Sequence, residues 1–305
     1  MNSVLLKKIE VSPRLPTPPA VVMRLLELTQ DESTTVQELA DTIALDPALT
    51  SKVLRFVNSP ISGVSRTVTS LPHAVAMLGV RAVKLLALSL SFLSPRRDCD
   101  CPGFDTESFT MFSATCGIAS RKLAEKTKTD SPQDAFLAGL LSQIGRLMVA
   151  MTIPNEYAAV LEQSNQSSSD LADIEQDILG FNYADIGARV LRRWRLPASV
   201  CDAISQYRQM HKQPPEMSLG RILLAAESVA SLLCPAAGET PDQSDSFYEA
   251  MKNLLDIDEE QASEFLSQVA SEADEMRHML SLPSKSLRPI EELEYAMKER
   301  VAELS

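Results

Sequence analysis

Helix signals follow one another along this chain almost without a gap, and the apolar/polar alternation of a strand does not persist over five residues. A chain patterned in this way buries its apolar stripes helix against helix, so the expected fold class is all-α. Pro19 opens a helix whose Val22, Leu25, Leu26 and Leu28 lie largely on one side. Thr35 with Glu38 has the spacing of a capping box for the segment reaching Leu45. Asp46-Pro47 restarts a helix through Leu49, Val53, Leu54 and Val57, which Asn58-Ser59-Pro60 ends. Ile61 to Thr69 is polar, contains Gly63 and lacks helical periodicity, so it reads as a loop. Ser70 then caps a helix closed by Gly79, and Val80 to Leu93 is apolar on most faces, as a helix buried between two layers would be.

The prolines, charges and cysteines of residues 95–103 mark an internal boundary. A second helical block opens near Thr106 and runs past Leu123. Ser131-Pro132 supplies an N-cap and first-turn proline for one helix through Met148. Further helices are indicated at Asn155–Gln163, Leu171–Leu179, Tyr183–Trp194, Pro197–Met210, Ser218–Leu233 and Ser246–Leu254. Asp258 to Leu280 is an acidic amphipathic helix. After a break, a final helix places Ile290, Leu293, Met297, Val301 and Leu304 on a seam spaced by three or four, like the start of a coiled coil. Ten glycines in 305 residues, against an abundance of Leu, Ala and Glu, agree with this reading.

Charge narrows the function classes. Residues 239–305 hold 17 Asp or Glu and 6 Lys or Arg, whereas the rest carries 24 acids and 23 bases and is nearly neutral. Nothing resembles the concentrated basic face that a duplex-DNA binder needs, so no DNA partner is expected. Arg192-Arg193-Trp194-Arg195 is the dense cationic cluster, and it has the place of a helix C-terminus, where cations complement the dipole. The expectation is also that no apolar run approaches the roughly 20 residues of a membrane span. Five scattered cysteines, Cys99, Cys101, Cys116, Cys201 and Cys234, suggest no disulfide framework, and a cytoplasmic location is expected.

Several separated motifs then agree in order and spacing with one family. LPTPPAVVMRLLEL, VQELADTIALDPALTSKVLRFVNSP and SLPHAVAMLGVRAVKLLAL resemble the N-terminal half of HDOD domains. SPQDAFLAGLLSQIGRLMVA and ILGFNYADIGARVLRRWRLPASVCDAI resemble their HD-like half. The resemblance runs from about Leu15 to Arg208. It implies a two-lobed helical domain within residues 1–215, with an N-terminal lobe over 15–94 and an HD-like lobe over 105–210. Beyond it would come a C-terminal helical extension over 216–283 and a connector or coiled-coil helix over 284–305.

HD hydrolases, to which the family is related, hold divalent metal with a histidine, a His-Asp pair and a further carboxylate, and the metal activates water. Carried onto this chain, the upstream histidine falls on Phe112, the His-Asp pair on Ser142-Gln143, and the histidine after the Gly-Phe turn on Tyr183. A downstream His pair seen in some relatives falls on Tyr207 and Arg208. Neutral serine and glutamine are weak replacements for such ligands. The three histidines, His73, His211 and His278, lie elsewhere. The reading is therefore a degenerate site with no catalytic residue, metal or cofactor, in which Ser142 and Gln143 are packing residues.

The resemblance and the degenerate site together imply a non-catalytic bacterial-type signalling module. It would act through a ligand, a signalling partner or a fused output domain such as a GGDEF-like one, as in a cyclic-dinucleotide circuit, and would dimerise through its C-terminal helix. Asn58, Ser59, Arg146 and Arg193, with Ser62, Gly63 and Ser65, are candidate contacts. The alternatives are a phosphohydrolase with an unconventional site, for which Asp134, Asp177 and Asp185 are the nearby carboxylates, and a pure protein-interaction scaffold.

Overall fold

A computed structural model of the chain describes residues 9, 20–29, 33–62, 64, 66–92, 99–128, 131–167, 169–208, 218–234, 244–289 and 292. Among them every regular element is a helix. The first lobe comprises α1 (Ala20–Thr29), α2 (Val36–Ala44), α3 (Pro47–Val57), α4 (Leu71–Leu78) and α5 (Val80–Phe92). Local chemistry sets their ends. Thr35 and Glu38 form the reciprocal box, the Thr35 hydroxyl accepting from the Glu38 amide at 3.2 Å and the Glu38 carboxylate from the Thr35 amide at 2.9 Å. Asp46 accepts from the amides of Ala48 and Leu49 at 2.9 and 3.0 Å. Gly79 stands at φ 86°, in a conformation open to glycine, and turns the chain from α4 directly into α5.

The second lobe contains α6 (Thr106–Thr127), α7 (Pro132–Leu141), α8 (Ile144–Thr152), α9 (Pro154–Asn165), α10 (Leu171–Leu179), α11 (Tyr183–Arg193) and α12 (Ala198–Gln206). Three more helices come after it: α13 (Leu219–Leu233), α14 (Ser244–Leu255) and α15 (Glu259–Leu280). Helix α6 is the axis of the molecule, with α7, α13 and α15 packed along it. Its approach to α7 is so close that a Cβ on Gly139 would strike the Cys116 carbonyl and the Ser120 hydroxyl.

Among the described residues several connections join the lobes. Helix α5 packs on α7, and the rings of Phe56 and Phe136 meet with centroids 5.8 Å apart. Arg81 pairs with Asp134 at 2.5 Å. Arg121 of α6 donates to the Ile61 carbonyl of the first lobe and, at 2.8 Å, to Glu272 of α15, which also pairs with Lys122 at 2.7 Å.

Two expectations need correction. The single helix from Ser131 through Met148 is interrupted at Ser142 and Gln143, which form a turn between α7 and α8. There the Ser142 hydroxyl donates to the Gly139 carbonyl at 2.8 Å, a local bond that competes with the helical ladder. A sufficiently apolar stretch also exists: Pro132–Thr152 is long enough for a membrane span and contains an 18-residue window of mean hydropathy 1.4, yet 89% of that window is buried among the other helices. Isolated Asp134 and Arg146 hide that run from a reading that stops at charges. The seam from Ile290 through Leu304 lies outside the described residues.

Candidate functional site

The turn between α7 and α8 is also where the second lobe is most polar. Gly145 and Gly187 let α8 and α11 touch backbone to backbone, since a Cβ on Gly145 would collide with the Tyr183 carbonyl. Asn182 caps α11 by accepting from the Asp185 amide at 3.0 Å and so fixes its first residue, Tyr183. Tyr207 and Arg208 continue from α12 in a single turn, and Glu227 comes in from α13.

These side chains converge on Glu227. Its Oε1 accepts from Gln143 Nε2 at 2.6 Å and from the Tyr183 hydroxyl at 3.0 Å, and its Oε2 accepts from Arg208 at 2.7 Å. The Tyr183 and Tyr207 hydroxyls are 2.7 Å apart. The Arg208 guanidinium also pairs with Asp170. The Arg208 and Glu227 side chains are only 18% and 14% exposed, so breaking this ion pair from one side would strand a charge with little access to solvent.

A second carboxylate adjoins the first group. Glu175 is fully buried, accepting from the Tyr157 hydroxyl at 2.8 Å and the Tyr183 amide at 2.5 Å. Burial pushes its carboxyl up to about 7, against the opposing pull of those two donors and of Arg146. Arg146 joins the two groups by donating to Gln143 Oε1 at 2.7 Å. Burial opposes its charge, but Tyr157, Tyr183 and Glu175 overcome that and raise its pKa. Burial, reinforced by the nearby Glu227 charge, pushes the phenols of Tyr183 and Tyr207 well above their ordinary range. Both therefore stay protonated and act as hydrogen-bond donors.

This donor set does not fit a divalent metal. It offers neutral phenols, an amide and a guanidinium around one carboxylate that is already engaged on both oxygens, and the Arg208 charge occupies the role a cation would have. Among the described residues no three His, Cys, Asp or Glu side chains group as a metal cluster. What the arrangement can do is hold α8, α11, α12 and α13 in one fixed relation.

Of the positions predicted from the family pattern, Gln143, Tyr183, Tyr207 and Arg208 are brought together. Gln143 is thus a hydrogen-bonding hub, which corrects its reading as a packing residue. Ser142 is turned into its own helix end. Phe112 is half-buried against the apolar core, and one turn along α6 it is Cys116 whose thiol lies beside Ser142 and Glu227, held protonated by burial. Asp134 faces Arg81, Asp185 sits in the first turn of α11, and Asp177 is exposed on α10. His73 starts α4 and His278 ends α15, whereas His211 lies outside the described residues.

In the first lobe Asn58 clamps its loop, donating to the Leu54 and Val68 carbonyls at 2.8 and 2.7 Å and accepting from the Val68 amide at 2.7 Å. Ser59 and Ser62 donate to the Phe56 and Val57 carbonyls at 2.8 and 2.6 Å. Gly63 and Ser65 are outside the described residues. Arg193 is exposed in the last turn of α11, unlike the half-buried Arg146. Glu227, Glu175, Tyr157 and Asp170 were not singled out by sequence. Glu227 alone left a signal, as the single acid in the apolar helix α13.

Comparison with known proteins agrees with this architecture. The HDOD domain profile matches residues 15–210. A Shewanella amazonensis SB2B protein, provisionally described as a phosphohydrolase, superposes with a TM-score of 0.70 at 23% identity, over 92% of this chain and 98% of its own. An HDOD domain protein of unknown function from Geobacter sulfurreducens gives 0.69 at 19% identity, over 91% and 97%. A Marinobacter aquaeolei VT8 protein, provisionally described as a signal transduction protein, gives 0.63 at 24% identity, over 91% and 61%. At these identities the likeness is one of fold. An uncharacterized protein of Treponema pallidum (strain Nichols) is 22% identical over 210 residues, which are 68% of this chain but 40% of that relative's length.

Proposed function

Because the chain belongs to the HDOD domain family, we propose that it is a non-catalytic signal-transduction module that works by binding and rearrangement. One observation carries this reading: Gln143 and Tyr183, at positions where the HD hydrolase pattern places metal ligands, and Arg208, where some relatives carry a histidine, close on Glu227 as an organic ion pair with hydrogen-bonded flanks. Such a centre activates no water, and it fixes four helices as one body. The seam between the lobes is formed by the packing of α5 on α7 and of Phe56 on Phe136, with the polar contacts Arg81 to Asp134 and Arg121 to Ile61 across it. A ligand or partner that prefers one lobe arrangement would shift its population and carry α15 with it. The output is a signalling partner or fused domain in the cytoplasm, reached through the C-terminal helices.

The test is metal analysis of the purified chain with assays on phosphomonoesters and cyclic dinucleotides. The expected result is no stoichiometric transition metal and no turnover. Metal-dependent turnover abolished by Asp134→Asn or Asp185→Asn would establish the hydrolase reading in its place.

A further inference from the structure

Helix α11 ends in the chain's one tryptophan, set among arginines. Arg189, Arg192, Arg193 and Arg195 are all exposed, and Trp194 is half-buried against the core. The C-terminal dipole of a helix amounts to about half a negative charge, which accounts for a small part of four cations. Arg192 also pairs with Asp202 at 2.8 Å, with both side chains about half exposed. From residue 183 to residue 208 every lysine or arginine is an arginine. Tryptophan and arginine are enriched at protein interfaces and lysine is depleted, and the planar fork of arginine matches a carboxylate. The composition is that of a docking surface for an acidic protein segment rather than that of a solvated face.

The complementary surface stands on the same chain. Asp256, Asp258, Glu259, Glu260 and Glu264 are exposed where α14 passes into α15, with Lys252 the exposed base of that stretch. The start of a helix favours acids, but again by about half a charge, and Asp258 already caps it by accepting from the Gln261 amide at 2.8 Å. In the packing order α11, α12, α13, α14, α15 the two surfaces are three helices apart. We propose that the arginine-rich end of α11 docks on the acidic start of α15 in a second copy of this chain. The contact joins two different surfaces, so copies add head to tail unless a two-fold axis closes a pair. The formal net charge of −12 opposes association. At physiological salt, however, charge acts over about 8 Å, so the facing patches outweigh the remainder of each surface. A second copy seated there would hold α15, which Glu272 ties to Arg121 and Lys122 of α6. It adds assembly to the rearrangement proposed above without depending on it.

Sedimentation velocity of the full chain, over a concentration series reaching about 0.1 mM, is the test. Self-association is expected to grow with concentration and to fall off between about 0.15 and about 1 M salt, as the screening length drops from about 8 to about 3 Å. Arg193→Glu with Arg195→Glu should weaken it at least about tenfold, because the reversed patch meets like charge. Glu260→Arg with Glu264→Arg should weaken it to a similar degree. An equimolar mixture of the two variants should associate again, since the reversed patch of each fits that of the other. If circular dichroism shows that a reversal unfolds its chain, the neutral pair Glu260→Gln and Glu264→Gln, at exposed positions, decides instead, with a weakening of about threefold. A chain that stays monomeric throughout the series overturns the proposal. So does self-association indifferent to the α15 substitutions, or a mixture of folded variants that does not recover. Sedimentation reads neither turnover nor metal, so failure of this contact leaves the regulatory reading standing.

Discussion

Asn58 and Glu227 each organise a polar group within a helical lobe, but over very different spans of chain. Asn58 works locally: its partners are the backbone of Leu54 and Val68, four and ten residues away. Glu227 draws on Arg208, Tyr183 and Gln143, which are 19, 44 and 84 residues away and stand at the ends of different helices. The first group is a loop holding its own shape, with main-chain groups satisfied by one amide. The second is made of side chains that have no other reason to meet, and it includes charge with little access to solvent. A local clamp stabilises one turn, whereas the long-range group makes four helices depend on one another.

The sharpest test of that contrast is Glu227→Ala. It leaves the half-buried Arg208 charge with Asp170 alone, and Gln143 and Tyr183 without their common acceptor, and should cost about 3 kcal/mol in urea unfolding, with Arg208→Leu added to Glu227→Leu recovering much of the loss. A cost no greater than that at Asn58 would break the comparison. Next in size is a pH effect at Glu175. Its carboxyl moves from 4.5 to about 7 on folding, so the native chain holds the extra proton between those values. Its stabilisation is complete below about 4.5 and is lost as pH rises through about 7, with an upper bound of about 3 kcal/mol. Melting curves across that window should show the decline. In Glu175→Gln the decline should be absent, even if absolute stability is lower.

Asn58→Ala should cost about 1–2 kcal/mol and should loosen amide-exchange protection only around residues 58–68. The smallest effect belongs to Arg81→Ala. Its side chain is 71% exposed although that of Asp134 is only 12% exposed, so losing the pair should cost no more than about 1 kcal/mol. A larger loss would mean that the lobe seam depends on this pair more than on the Phe56–Phe136 contact.

The same difference in range decided what could be read in the sequence. The Thr35–Glu38 box, the Asp46-Pro47 start and the Ser70 and Ser131 caps are local bonds written in adjacent residues, and each stands where its motif placed it. The family pattern also led to Gln143, Tyr183, Tyr207 and Arg208, since each occupies a fixed place within a motif. What they bind was not legible, because Glu227 stands on a helix whose pattern is otherwise that of plain core. Glu175 was hidden for a related reason: in LADIEQDIL nothing separates it from the neighbouring exposed acids until burial does. The helix break at Ser142 was missed because neither Ser142 nor Gln143 is a strong breaker. The interruption coincides with the Ser142–Gly139 bond, with the bond from Gln143 to Glu227 and with the tight contact at Gly145, two of which are tertiary.

Glu227 stands 17 residues beyond the last position matched by the HDOD profile, residue 210. The boundary of a recognisable sequence family is then not the boundary of a unit that can be cut free. A fragment ending at residue 210 would retain a guanidinium, two phenols and an amide gathered around nothing, along with the bared face of α6 on which α13 packs. Downstream chain is stitched in as well, since the Arg288 amide donates to the Leu233 carbonyl at the end of α13 at 2.8 Å. Dissection of this protein into portable modules, or grafting of its HDOD portion onto another protein, has to carry the helices beyond residue 210 along with it.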